Sequence, residues 1–150
     1  MYANRENPVS SMGLELELIH ELRRGLTFGL TYALQRSRLG GLFSGESLEN
    51  SPTHLVGGRA IIPVIAKAMS LTTRATIDSG RKDLEGRFTG AAVVWDLGVA
   101  GYIEAISADY SLTVRNLLDW QYDHPSSGQV EDARQRQPGL SLYADLSLRF

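Results

Sequence analysis

The sequence predicts an all-β protein, an antiparallel up-and-down transmembrane β-barrel segment of about seven strands forming an open, curved sheet. Three observations predict it. Residues Leu140 to Phe150 alternate without a slip, with Leu140, Leu142, Ala144, Leu146, Leu148 and Phe150 on one side and Ser141, Tyr143, Asp145, Ser147 and Arg149 on the other. Similar two-faced stretches recur along the whole chain, each long enough for a barrel strand of about 9 to 11 residues. The connections between them are alternately short and long, as the turns and loops of bacterial outer-membrane barrels are.

The first strand sets Met12, Leu14, Leu16 and Leu18 against Gly13, Glu15, Glu17 and Glu21, with Ile19 as its exception. After Arg23-Arg24-Gly25, the second opposes Leu26, Phe28, Leu30, Tyr32 and Leu34 to Thr27, Gly29, Thr31, Ala33, Gln35 and Ser37. Residues 54–65 form a weaker third, with Val56, Gly58, Ala60, Ile62 and Val64 opposite Gly57, Arg59, Ile61 and Pro63. Pro63 has no N–H for a ladder and belongs near a strand end. The fourth runs from Ala68 to Asp78 and the fifth from Ala91 to Tyr102. The sixth sets Ala108, Tyr110, Leu112 and Val114 against Asp109, Ser111, Thr113 and Arg115, and the terminal strand is the seventh.

Tight links fall at Arg23–Gly25, Ile65–Lys67 and Ile103–Ala105, whereas Gly40–Thr53, Gly80–Gly90 and Trp120–Gly139 are long, polar and rich in Gly, Ser and Pro. In a barrel of this layout the tight links are periplasmic and the long loops extracellular. Charge placement agrees. His20 and Arg36 reach the apolar side only at strand ends, while Glu15, Glu17, Arg59, Arg74, Asp96, Asp109, Arg115, Asp145 and Arg149 fall on the polar side. A lipid-facing Arg or Lys at mid-bilayer costs about 2–4 kcal/mol, so a lipid-facing band should be this free of charge.

Composition narrows the alternatives. The chain has 150 residues, 43% of them hydrophobic, which suits one folded domain. A net charge of −2 with scattered Lys and Arg gives no basic stripe, so nucleic acid is not an expected partner. Without cysteine there is no thiol nucleophile, disulfide framework or Cys-ligated zinc. No apolar run is long enough for a membrane helix, a test to which barrel strands are blind. The first residues, Met1 to Pro8, lack a charged and then apolar export signal, so one is expected upstream.

Several short motifs carry a resemblance. Leu48-Glu49-Asn50-Ser51-Pro52-Thr53-His54-Leu55, entering a strand after a long loop, resembles the Asn-x-Pro-x-His element of TonB-dependent outer-membrane receptors. Asn116-Leu117-Leu118-Asp119-Trp120-Gln121-Tyr122 is similar to that family's Asn-Leu-Phe-Asp-x-x-Tyr, with Leu118 in place of Phe. Gln137-Pro138-Gly139 resembles the Pro-Gly before its closing strand, with Leu140 where Arg is frequent, and Gly13-Leu14-Glu15 resembles a Gly-x-Glu strand opening. The resemblance implies that residues 1–150 are the C-terminal segment of a receptor barrel of about twenty-two strands, with the plug domain and N-terminal strands absent. It implies residence in the outer membrane of Gram-negative type and energy-coupled uptake of a scarce ligand such as an iron-chelate, cobalamin or a glycan. The implied partners are outer-membrane lipid, the barrel-assembly machinery, a small-molecule ligand and, through the missing plug, the inner-membrane energy transducer. Phe150 with Leu148, Leu146 and Leu142 resembles the C-terminal signal read by that assembly machinery. An odd number of strands does not close a single-chain bacterial barrel, so a fragment is also the physical expectation.

No enzymatic motif is present, and no cofactor or metal is expected, because His20, His54 and His124 have no ligand spacing. Asp96 and Asp109 are expected to pair with arginines such as Arg74 and Arg115 on the polar face. Asn50, Pro52, His54, Asn116, Asp119, Tyr122, Pro138 and Gly139 are expected to be structural, since Asn and Asp can bond local backbone and end a strand. Trp120 and Tyr122 are expected in an interfacial aromatic belt. Two other readings stay open: a small closed outer-membrane barrel with a structural or enzymatic role, and a soluble β-barrel binding module.

Overall fold

A computed structural model of the chain describes residues 8–66, 68–126 and 132–149. The strands are β1 (Val9–Glu21), β2 (Thr27–Leu39), β3 (Glu46–Ser47), β4 (His54–Ile65), β5 (Met69–Asp78), β6 (Ala92–Ile103), β7 (Ala108–Arg115), β8 (Asp123–Pro125), β9 (Arg134–Arg136) and β10 (Ser141–Leu148). The seven long strands lie side by side in the order β1-β2-β4-β5-β6-β7-β10, every neighbouring pair antiparallel. This is an all-β, up-and-down sheet, and it does not close, since β1 and β10 are edges. The small β3 pairs β2 at the loop end, and β8 and β9 form a separate hairpin inside the last long loop.

The strand bounds follow the alternation closely because register and alternation agree across every pair. Leu16 faces Tyr32, Tyr32 faces Val56, Val56 faces Ile77 and Ile77 faces Val93, one apolar row running across five strands. Leu142, Ala144 and Leu146 continue the same face opposite Val114, Leu112 and Tyr110. Pro63 lies at a register break, where a residue without an N–H interrupts least. Among the tight links, Arg24 and Gly25 take positive φ, as does Ser107, each turning the chain within a few residues.

Burial is inverted relative to a soluble sandwich. Among the described residues, apart from the loop prolines Pro52 and Pro125, the only aliphatic or aromatic side chains that are buried are Ala92 at 5% and Ala108 at 0% exposure. Leu18 and Leu142 stand 63% and 65% exposed, whereas Thr72, Thr76, Asp96 and Thr113 on the opposite face are half-buried. The chain exposes 10986 Å². A compact monomer of its 16.5 kDa would expose about 7,500 Å². The excess is larger than the about 1,200–2,000 Å² that a standard protein interface buries.

The sheet curls toward its polar side. Cavities of 560, 360 and 300 Å³ all lie on that side. Its side chains also crowd one another: a Cβ at Gly98 would meet Thr72 Oγ1 at 2.8 Å and Thr113 Oγ1 at 3.1 Å. On the apolar side a Cβ at Gly58 would meet Leu30 at an ordinary 3.6 Å. Small and polar residues line the cavity side, the concave face, and large apolar ones cover the opposite, convex face.

Candidate functional site

The concave face and the three long loops above it form the candidate site. The loops join one another through charged groups. Arg81 forks onto Asp78 at 2.9 and 2.5 Å and reaches Asn50 Oδ1 at 3.0 Å, while the Asn50 N–H donates to the Lys82 carbonyl at 2.9 Å. Asp83, fully buried, takes Arg134 Nε at 2.8 Å and the N–H groups of Arg87 and Glu85 at 2.8 and 3.0 Å. Burial alone would raise the Asp83 pKa, but the Arg134 guanidinium and those two N–H donors outweigh it and hold the carboxyl below its ordinary value.

Eight residues carry the family-like motifs, and the structure gathers four of them into one knot. Asn116, 3% exposed with φ 51°, donates from Nδ2 to the Trp120 and Pro138 carbonyls at 3.0 and 3.3 Å and accepts the Trp120 N–H at 2.9 Å. Its own N–H donates to Asp96 Oδ1 at 2.9 Å. Asp119 Oδ1 accepts the Leu140 N–H at 2.9 Å, and a Cβ at Gly139 would overlap that same oxygen. The end of β7 and the start of β10 are thereby clamped together, with glycine required where the clamp passes.

The first motif is looser. Asn50 sits exposed at φ 53°, Pro52 is buried, and His54 opens β4 with Nδ1 3.0 Å from the Tyr32 hydroxyl. Ser79 Oγ accepts the N–H groups of Thr53 and His54 at 3.1 and 3.0 Å, fixing the strand entry. Leu142, Leu146 and Leu148 project from the exposed face of β10, while Phe150 lies outside the described residues.

Two expectations are corrected. Tyr122 does not sit in a belt on the apolar face. It lines both the 560 and the 360 Å³ cavities on the concave side, packed edge-on against His124 with ring centroids 5.4 Å apart. The β8–β9 hairpin folds the loop inward and carries both rings with it. Asp96 and Asp109, expected to pair with Arg74 and Arg115, do otherwise: Asp109 pairs with Arg149 at 2.6 Å, and Asp96 serves the Asn116 N–H. Arg149 reaches Asp109 because its backbone continues β10 alongside Ser107.

His124 is the residue that sequence reasoning did not single out. Burial lowers its pKa, and the nearby Arg81 lowers it further against a smaller opposing pull from Asp78. It lines the larger cavity, beside Glu15, Glu17 and Asp78. No group of His, Cys, Asp and Glu among the described residues converges as a metal site.

Fold and site together define an open antiparallel sheet with an exposed apolar convex face and a polar concave face roofed by joined loops. No protein-family model matches the chain, and neither a curated protein nor a solved structure matches it significantly.

Proposed function

We propose that this chain is a membrane-spanning segment of an outer-membrane β-barrel of the TonB-dependent receptor type, contributing to energy-coupled uptake of a scarce ligand. The single observation that carries the reading is the inverted burial. An apolar face left open on all seven long strands, nearly without charge, is disfavoured in water and favoured in hydrocarbon. Strands of 13, 13, 12, 10 and 12 residues in β1, β2, β4, β5 and β6 reach across a bilayer when tilted.

The receptor part of the reading rests on the ordered motifs and on the two unpaired edges. Unpaired edges in lipid leave backbone groups without partners, a cost removed when further strands of the same barrel extend both sides. Transport is by gated binding on the concave face, with no covalent step. Leu142, Leu146, Leu148 and Phe150 serve as the address for the barrel-assembly machinery.

Fractionation of cells expressing the chain behind an added export signal tests the membrane reading. The protein should partition with the outer membrane and migrate differently on gels before and after boiling, as folded barrels do. Recovery of folded protein in the aqueous fraction without detergent sinks it. The DNA immediately upstream tests the receptor assignment: an export signal, a plug and further strands in frame are expected there, and unrelated sequence overturns it.

A further inference from the structure

We propose that the concave face holds a binding site for a small anion of carboxylate or phosphate chemistry, centred on Arg74 and Arg115. Register creates it. Arg59 lies directly opposite Arg74, and Arg74 directly opposite Asp96. Val114 faces Leu97, which brings Arg115, one residue on, beside Asp96. Three guanidiniums and one carboxylate therefore share a single row across four strands.

Like charges directly opposite one another destabilise a sheet unless something lies between them. Arg59 is relieved, because it lies across Gly29, where a Cβ would come within 2.8 Å of its Nε, and extends to Glu17 at 3.9 Å. Among the described residues neither Arg74 nor Arg115 has an acid within ion-pair distance, and Arg115 lies over the Tyr143 ring, 5.6 Å from its centroid. Asp96 accepts the Asn116 N–H and forms no ion pair with either of them among the described residues.

The space between them is a cavity. It measures 360 Å³ and is lined by Arg74, Arg115 and Asp96 together with the hydroxyl-bearing Tyr122, Ser141 and Tyr143. That volume is within the range of small-ligand sites. Guanidinium forks take carboxylate and phosphate oxygens two at a time, and the Tyr122 and Tyr143 hydroxyls supply further donors. Asp96 offsets one of the two guanidiniums, so the cavity lining carries one net positive charge. The site needs only that the concave face be wet, so it does not depend on what covers the convex face.

Calorimetric titration of the full chain, folded in detergent micelles, with inorganic phosphate and with citrate tests the proposal. Saturable binding of one or both is expected, weakened by salt. Arg74→Gln and Arg115→Gln should each weaken it about tenfold or more, the scale of a lost charged hydrogen bond. Arg74→Lys should weaken it less, and Arg24→Gln, in a turn at the far end of the sheet, should leave it unchanged. Variants are compared only where boiling still shifts their gel mobility, which separates a lost site from a lost fold. No saturable heat with either anion overturns the proposal, as does binding that Arg74→Gln leaves intact or that Arg24→Gln weakens equally.

Discussion

Leu30 and Thr31 are adjacent on β2 and face opposite sides of the sheet. Leu30 stands 58% exposed on the convex face, among Leu16, Leu18 and Val56, while Thr31 faces the concave cavities beside Glu17 and Thr76. A soluble sheet would hide the first and wet the second. Here both are exposed, Leu30 on the side that carries the apolar rows and Thr31 on the side that holds the cavities. An apolar surface open on every long strand is disfavoured in water, and the proposed membrane setting would remove that cost.

The largest predicted effect follows from that pair. Leu30→Arg should destabilise the chain folded in lipid vesicles by about 2–4 kcal/mol, the cost of arginine near mid-bilayer. Thr31→Arg should change stability by no more than about 0.5 kcal/mol, the scale of an ordinary surface change. Reversible denaturant titration in vesicles reads both. Equal effects from the two substitutions would erase the distinction between the faces and with it the membrane reading.

Legibility in the sequence followed the same division. The long strands were readable because each carries one face of consistent polarity; β4 and β5 begin and end within a residue of their expected bounds. The exceptions, Ile19, Leu55 and Ile61, sit on the concave face and did not break the pattern. The β8–β9 hairpin was not readable. Asp123–Pro125 and Arg134–Arg136 are three residues each and almost wholly polar, so no alternation marks them, and Tyr122 and His124 were left without their inward position. Side-chain pairing was likewise hidden, because it depends on cross-strand register. Asp109 meets Arg149 through the geometry of β7 against β10, which no local pattern encodes.

A second contrast lies within the loop end, between the knot at Asn116 and the open rim at Asn50. Asn116→Ala leaves the Trp120 N–H and the Pro138 carbonyl without their partner, and its positive φ gains nothing from a Cβ that cannot hydrogen-bond. A loss of about 1–3 kcal/mol is expected, the cost of unsatisfied buried groups. Amide exchange should quicken across residues 116–126 and at Leu140 while β1 and β2 stay protected. Asn50→Ala, exposed and joined to Arg81 through one side-chain oxygen, should cost less than half as much. The reverse order would mean that the rim, and not the knot, holds the loops.

The smallest effect is confined to the loops and distinguishes their two titrating groups by pH. Burial holds the His124 pKa down, so its unfolded state binds the proton more readily; the stability it lends is present above about pH 6.5 and falls as pH drops through that value. Asp83 is also depressed, through Arg134 and two backbone donors, so its contribution persists below pH 6.5 and is lost only as pH falls beneath about 3.9. Amide exchange at Glu85 and Arg87, whose N–H groups donate to Asp83, should therefore stay slow until the lower step. The Tyr122–His124 hairpin should loosen at the upper one. His124→Gln should abolish only the upper step and Asp83→Asn only the lower. A single step that both substitutions move would mean that the hairpin and the Asp83 junction open as one unit, making the roof over the concave face one lid and not two independent parts.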